Sequence, residues 1–456
     1  MAFSRKDFLL GLGGLTASAA FRSSGEAVAF PPIRIGSVSD IHFREKGGEA
    51  VDFRYGSHGA FRAALEYFRD RKADAVTLTG DMADSGKVAQ LEIVGRIWRE
   101  VFPGDRRPDG GHVEPLFVYG NHDVWKGGDI GPDRAGAWKR AFGRDSWAPI
   151  YSVKVNGYAF VCVSWGAENQ LPEYVRAHER ELGLREMRPF FVLQHPIPKG
   201  TLFAHSGTWG EDKGQVTACL SQYPNAVSLS GHTHMACSDD REIWQGAFTA
   251  INCCTLAQIK PPNRCENCEK WKEARPRHMK ATSRKGKQGY FMTVYPDRLE
   301  VESRDFVFGL ESADRRTVAI PVCGTVPDYA YAEQARRCVA PVWPAEASVS
   351  VAERDGVDSN KARERQVVVR FPSATAAGHR GRVERYLVEV LRGAQTVFAR
   401  EVAQESYFHP IGKIPATQDC VFGKAELPAG APLRYRVTPV GVFGQKGRPL
   451  ESAEPA

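Results

Sequence analysis

Nine side chains of the 456-residue sequence fall into five short clusters whose types suit metal-assisted hydrolysis. Asp40 and His42 are separated by one residue, and Asp81 follows Gly80. Asn121, His122 and Asp123 follow Gly120. His195 precedes Pro196, and His232 and His234 flank Thr233 behind Gly231. Carboxylate, amide and imidazole donors without a thiolate suit Zn, Mn or Fe. The donors are too many for one tetrahedral ion and enough for two, and Asp81 is the candidate bridge. Two ions roughly 3.5–4 Å apart stabilise in-line displacement at phosphorus. Any one cluster also reads as a turn, because turns favour the same residues. Five in series, each behind an apolar run, do not.

The apolar runs supply the positioning elements. Residues 33–39, 75–79, 116–119, 190–194 and 226–230 read as strands, and each ends at one of the clusters. Residues 158–164 read as a further strand. Helices are expected over 61–72, with Phe61, Ala64, Leu65 and Phe68 on one face, and over 88–101. Strands alternating with helices imply an α/β fold, in which ligands bind outside the carboxyl ends of the strands. Residues 289–303 read as a hairpin closing this domain around Tyr295, Pro296 and Asp297. Residues 311–340 are polar and proline-punctuated, as in a connector. From 341 the pattern is of strands only, which predicts a small all-β sandwich.

The motif series Asp40-x-His42, Gly80-Asp81, Gly120-Asn121-His122-Asp123, His195 and Gly231-His232-x-His234 resembles that of the calcineurin-like metallophosphoesterases. The resemblance implies a four-layer α/β sandwich, two central β-sheets flanked by helices. It implies two divalent or trivalent ions. Asp40, His42 and His234 would hold the first, Asn121, His195 and His232 the second, and Asp81 would bridge them. A metal-bridging hydroxide would attack phosphorus, and Asn121 would also hydrogen-bond the phosphate. His122 would protonate the leaving alkoxide, with Asp123 orienting its ring. Asp84 completes a Gly-Asp-x-x-Asp pattern whose role in the family is structural. Residues 82–85 lack the tyrosine ligand of the purple acid phosphatase branch. Residues 427–437 with 441–449 resemble the end of a fibronectin type III domain, with Tyr435 as its buried corner tyrosine.

Charge and composition narrow the remaining readings. The net charge is +7, yet residues 270–287 hold eight Lys and Arg against one Glu, and the rest is near neutral. That distribution argues against a general nucleic-acid surface. The family resemblance implies a phosphorylated small-molecule or polymer substrate. The basic stretch reads as a solvated surface loop, with attraction of a polyanionic substrate as the alternative. Arg5 and Lys6 precede an apolar, Gly- and Ala-rich run with small-residue cleavage sites, the order of an export signal. The segment also resembles a twin-arginine signal with Lys6 in the second arginine position. A periplasmic or extracellular location follows, with no membrane span in the mature chain. All ten cysteines lie after residue 160. For Cys253, Cys254, Cys265 and Cys268, disulfides, free thiols and a zinc site remain open. His58 and His205 are candidate residues of the substrate rim, with solvated loops as the alternative.

The expected organisation is a signal over 1–29, a catalytic domain over 30–310, a connector over 311–340 and the sandwich over 341–456. The competing function is a binding or adhesion protein that acts through its sandwich while the metal domain is degenerate.

Overall fold

The computed structural model describes residues 30–44, 58–145, 147–204, 210–260, 286–324, 326–358, 361–376, 382–404, 410, 412–430 and 432–453. The export signal, His205, Cys265, Cys268 and most of the basic stretch therefore lie outside the described residues. So does the side chain of His58, whose backbone opens the first helix.

Short buried strands and amphipathic helices alternate through the first half. The strands are β1 (Ile33–Val38), β2 (Ala75–Leu78), β3 (Glu114–Phe117), β4 (Ile150–Val155), β5 (Tyr158–Val163), β6 (Phe190–Leu193) and β7 (Ala226–Ser230). After them come β8 (Ile243–Gln245), β9 (Thr249–Asn252), β10 (Gln288–Tyr295), β11 (Arg298–Asp305), β12 (Leu310–Glu311) and β13 (Arg316–Ala319). The helices are α1 (His58–Asp70), α2 (Val88–Val101), α3 (Arg134–Phe142), α4 (Leu171–Leu182) and α5 (Gln215–Leu220).

Two mixed sheets result. One runs β12-β11-β10-β1-β2-β3, with β13 also on β11, and the other runs β4-β5-β6-β7-β9-β8. Strands β1, β2 and β3 are mutually parallel, as are β5, β6, β7 and β9. Their carboxyl ends therefore point one way within each sheet. Phe61, Ala64, Leu65 and Phe68 of α1 are all fully buried, in one core with Leu91, Val94 and Trp98 of α2. Val175 of α4 and Val216 and Leu220 of α5 pack with Val161 and Val192 of the second sheet. Hydrogen bonds join the sheets: the Trp165 amide donates to the Tyr119 carbonyl at 2.8 Å, and the Ser37 hydroxyl donates to Cys253 Sγ at 3.0 Å.

The hairpin at 295–298 forms, but it does not lie at an edge. Its first strand, β10, pairs antiparallel with β1 in the middle of the first sheet. Residues 311–340 contain more than a polar link. They supply β13 and a helix, α6 (Tyr331–Arg337). The Tyr331 hydroxyl donates to the Arg241 carbonyl at 2.8 Å, and Gln334 Nε2 donates to the Ile243 carbonyl at 3.1 Å.

The C-terminal strands are β14 (Ser350–Val357), β15 (Arg363–Pro372), β16 (Val383–Arg392), β17 (Gln395–Ala403), β18 (Thr417–Gly423), β19 (Arg434–Gly441) and β20 (Leu450–Glu451). They form an antiparallel sheet β14-β15-β18 and a second, β17-β16-β19-β20. Val369, Phe371 and Phe422 of the first share a buried core with Tyr386, Val388, Tyr435 and Val437 of the second. This all-β region belongs to the same compact unit as the α/β sheets. Arg241, just before β8, pairs with Glu384 of β16 at 2.7 Å.

Candidate metal centre

Each polar cluster sits just past a buried strand, and at three of the five, those after β1, β2 and β7, the backbone turns through an unusual conformation. Asp40, His42, Asp81, His232 and His234 have φ of 51°, 52°, 52°, 70° and 56°. Non-glycine residues rarely occupy this left-handed region, and its occurrence clusters at functional sites. The adjacent glycines are needed for close approach. Gly80 has φ of 99°, and a Cβ there would run into the His195 ring. A Cβ on Gly231 would collide with the Ser39 hydroxyl and the Asp40 carboxylate.

The five turns bring their donors to one place. Asp40, His42 and His234 form one group, and Asp81, His195 and His232 form another. In the first, His234 Nε2 is 3.0 Å from Asp40 Oδ1 and 3.2 Å from His42 Nε2. In the second, His195 Nε2 lies 3.1 Å from Asn121 Oδ1 and 3.1 Å from His232 Nδ1. Asp81 Oδ2 stands between the groups, 3.5 Å from His42 Nε2 and 3.2 Å from His195 Nε2.

The outer atoms of the same side chains are fixed by the fold. His195 Nδ1 donates to the Thr79 carbonyl at 2.7 Å, and His234 Nδ1 donates to the Gln258 carbonyl at 3.0 Å. His42 Nδ1 faces Asp84 Oδ1 at 3.4 Å, and Asp84 is held by Arg44 at 2.8 Å. Such partners set the tautomer and aim the other nitrogen inward. Asp40 Oδ2 accepts from the Ser39 hydroxyl at 2.6 Å and from the His232 amide at 2.9 Å. Asp40 Oδ1, by contrast, is buried without a hydrogen-bond partner among the described residues. An orphaned carboxylate oxygen facing two imidazole nitrogens fits a cation.

Charge within the centre points the same way. Burial opposes ionisation of Asp40 and Asp81, but the imidazoles around them outweigh it and hold both carboxyls below the usual range. Burial likewise opposes protonation of His42, yet the Asp40 and Asp84 carboxylates raise it to about 10. His195 rises to about 9 against its burial, drawn up by Asp81. His232 goes the other way, pushed down to about 3 by burial and by the His195 charge. The centre thus sets two buried carboxylates held toward the ionised form among imidazoles, a donor set whose protons a metal ion would displace.

Residues 33–236 match the model of the calcineurin-like phosphoesterase family. They form a calcineurin-like phosphoesterase domain. Among solved structures the chain is similar to a dimetal phosphatase from Danio rerio, at 14% identity and a TM-score of 0.40, covering 63% of this chain and 98% of that one. It is also similar to a purple acid phosphatase from yellow lupin seeds, at 14% identity and a TM-score of 0.41, covering 63% of this chain and 54% of that one. No curated protein matches the chain.

Within the phosphoesterase domain, one sequence-based role is corrected. Asp123 does not orient the His122 ring. It is fully buried, and its carboxylate accepts from the Ala83 and Gly120 amides, each at 2.7 Å. The residue that meets the ring is Asp84, whose carbonyl accepts from His122 Nδ1 at 2.7 Å. Asp123 is a brace between the β2 and β3 turns. The cysteine expectation also changes in detail, since Cys254 pairs with Cys237, outside the expected cluster, while Cys253 is a buried free thiol.

Sequence reasoning missed three nearby residues. Trp125 stacks on His122, and Trp165 packs on His232 with ring centroids 5.5 Å apart. The Lys260 amide donates to the His234 carbonyl at 2.8 Å. Burial pushes the Lys260 ammonium down to about 8, against the pull of Asp40 and Asp81. The position of Trp125 directly behind the Gly-Asn-His-Asp motif was the only sequence signal for any of them.

Proposed function

We propose that this chain is an exported, dinuclear-metal phosphoesterase that hydrolyses phosphate mono- or diesters. Asp40, His42 and His234 would hold one ion, Asn121, His195 and His232 would hold the second, and Asp81 would serve both. The observation that carries this reading is the pair of facing groups with Asp81 Oδ2 between them, 3.5 and 3.2 Å from the nearest imidazole nitrogen of each. Bound ions supply Lewis acidity and an activated water.

The chain's own residues do the rest. The His122 amide donates to Asp81 Oδ1 at 2.8 Å and so fixes the rotation of that carboxylate. With Nδ1 tied to the Asp84 carbonyl, His122 Nε2 is left to give its proton to the leaving oxygen. A positioned acid of this kind contributes roughly 10²–10⁴-fold. Asn121 would also bind the phosphoryl group through its amide, a reading supported by its half-buried position beside His195.

The Cys237–Cys254 disulfide supports export, because disulfides persist in oxidising compartments. We read 341–456 as a fibronectin type III-like sandwich, supported by its three- and four-stranded antiparallel sheets and by buried Tyr435. Metal analysis with turnover of p-nitrophenyl phosphate and of its bis-ester tests the central reading. Two ions per chain and turnover are expected, and the preferred ester separates monoesterase from diesterase. A metal-free, inactive protein refutes it and favours the binding-protein alternative.

A further inference from the structure

An aromatic surface stands beside His122 with no role in the centre described above. Trp125 and His122 stack with centroids 4.9 Å apart and planes at 27°. His122 also meets His42 nearly edge-on, with centroids 4.6 Å apart and planes at 77°. The His122 ring therefore touches both a side chain of the metal centre and the indole. The Trp125 amide donates to the His122 carbonyl at 3.3 Å, which keeps the two residues in one turn.

The indole is 51% exposed, and it is the one aromatic side chain among the exposed large hydrophobics of the described residues. Exposure of one indole is ordinary by itself; what distinguishes Trp125 is that its water-exposed aromatic surface lies against His122 beside a polar centre. A second indole, the half-buried Trp165, lies across the centre against His195 and His232, at 5.9 and 5.5 Å between centroids.

An alcohol that takes its proton from His122 Nε2 leaves alongside that ring, and hence alongside Trp125. We propose that Trp125 is a specificity-determining residue that stacks on a planar ring in the alcohol part of the ester, so that aryl or nucleoside phosphates are preferred over simple alkyl phosphates. Stacking on an indole tolerates any planar ring, so it selects a class and not one compound. This inference rests on the phosphoesterase reading above.

The test compares the wild-type protein, Trp125→Ala and Trp125→Phe after reconstitution with Mn, with metal content measured for each. The substrates are p-nitrophenyl phosphate, adenosine 5′-monophosphate and glycerol 2-phosphate, which has no ring. Losing the stack on His122 lowers turnover of the two alkyl esters alike and of p-nitrophenyl phosphate less. The informative quantity is therefore the ratio of kcat/KM on adenosine 5′-monophosphate to that on glycerol 2-phosphate, whose leaving alcohols both need the proton. Trp125→Ala should lower that ratio by about tenfold, mainly through KM, and Trp125→Phe should keep most of it. The aryl and nucleotide arms show which ring is favoured. An unchanged ratio with metal retained overturns the proposal and leaves Trp125 as a prop for His122.

Calorimetric binding of adenosine 5′-monophosphate and of inorganic phosphate separates the two readings. A preference for the nucleotide that disappears in Trp125→Ala supports the stacking site even if no ester is hydrolysed, in which case the phosphoesterase reading is what fails. Turnover without that preference refutes only the stacking site.

Discussion

The loop that carries His232 and His234 continues into a buried ion cluster shared with the C-terminal sheets, and that joint can be broken at one carboxylate. Arg241 is 4% exposed. Its guanidinium binds Asp239 twice, at 2.9 and 2.6 Å, and Glu384 once, at 2.7 Å. It also lies over the Phe203 ring at 3.5 Å. Phe203 in turn packs with Ala403 of β17 against Met235, Ala236 and Ile259, the residues that flank His234 and Lys260. Glu384 is fully buried and also pairs with Arg385.

Glu384→Ala leaves Arg241 its Asp239 partner but removes a charge-assisted bond that cannot be replaced by water. The loss should be about 3 kcal/mol, between the value of one hydrogen bond to a charged group and that of a fully orphaned ion. Its effect on Tm depends on what unfolds together. At ~2 cal/mol/K per residue, a cooperative unit of roughly 420 residues shifts by about 3 °C, whereas a sandwich of roughly 115 residues melting alone shifts by about 12 °C. Because the two parts belong to one compact unit, a single transition lowered by about 3 °C is expected. Calorimetry reads it, with metal content as a second measurement, because the strained turn at His234 leans on the same cluster. Glu384→Gln, which keeps an acceptor oxygen, should fall between. A Tm within 1 °C of wild type with full metal retention refutes the joint. A separate low-temperature transition refutes the coupling while leaving the ion cluster.

Three further outcomes follow from the centre and the core. His122→Ala should lose about 10²–10⁴-fold on alkyl esters and much less on p-nitrophenyl esters, whose leaving group needs little protonation, while metal analysis finds both ions still bound. Loss of metal in that variant would place His122 among the ligands. Asp81→Asn should weaken both ions together in a chelator titration, because its Oδ2 faces both groups. Asp305 is fully buried, and burial raises its pKa from 3.8 to about 6. The folded chain therefore keeps a proton that the unfolded chain loses near pH 4. The stability this provides is full below that pH and is lost as pH rises through 6, by about 3 kcal/mol in all. Urea unfolding should find Asp305→Asn more stable than wild type at pH 8 and similar at pH 4. Equal stability of the two at pH 8 would show that the native state accommodates the charge.

The sequence made the strand ends legible and left their partners hidden. Short apolar runs, ended by Gly80, His195 and Gly231, mark β2, β6 and β7 because buried parallel strands read as continuous hydrophobic stretches, and β1 is marked by its apolar Ile33, Ile35 and Val38 ahead of Asp40. The amphipathic faces of α1 and α2 are equally local signals. Strand order is not local. Nothing in residues 288–295 announces that β10 enters the first sheet beside β1, since its alternation would suit an edge as well. Side-chain direction is not local either. Asp123 follows His122 in the chain, yet its carboxylate turns to Ala83 and Gly120, and a carbonyl does the orienting instead. Backbone carbonyls at Thr79, Asp84 and Gln258 carry no residue signature, so no sequence pattern could have named them.

Those hidden contacts make the five turns interdependent. Asp40 on the β1 turn accepts from the His232 amide on the β7 turn. Asp81 on the β2 turn accepts from the His122 amide on the β3 turn. His195 on the β6 turn is anchored to the Thr79 carbonyl at the end of β2, and Asp123 ties the β3 turn back to Ala83. Asp40, Asp81 and His195 therefore each present one atom to the centre and use another to hold a neighbouring turn. Left-handed conformations at five of these residues cost roughly 1–3 kcal/mol each and persist only where the surroundings over-determine them. The cross-bonds between turns are that determination. The centre consequently behaves as one unit: removing a ligand side chain also releases the backbone that positions the next, and the effects of paired substitutions across turns will not add.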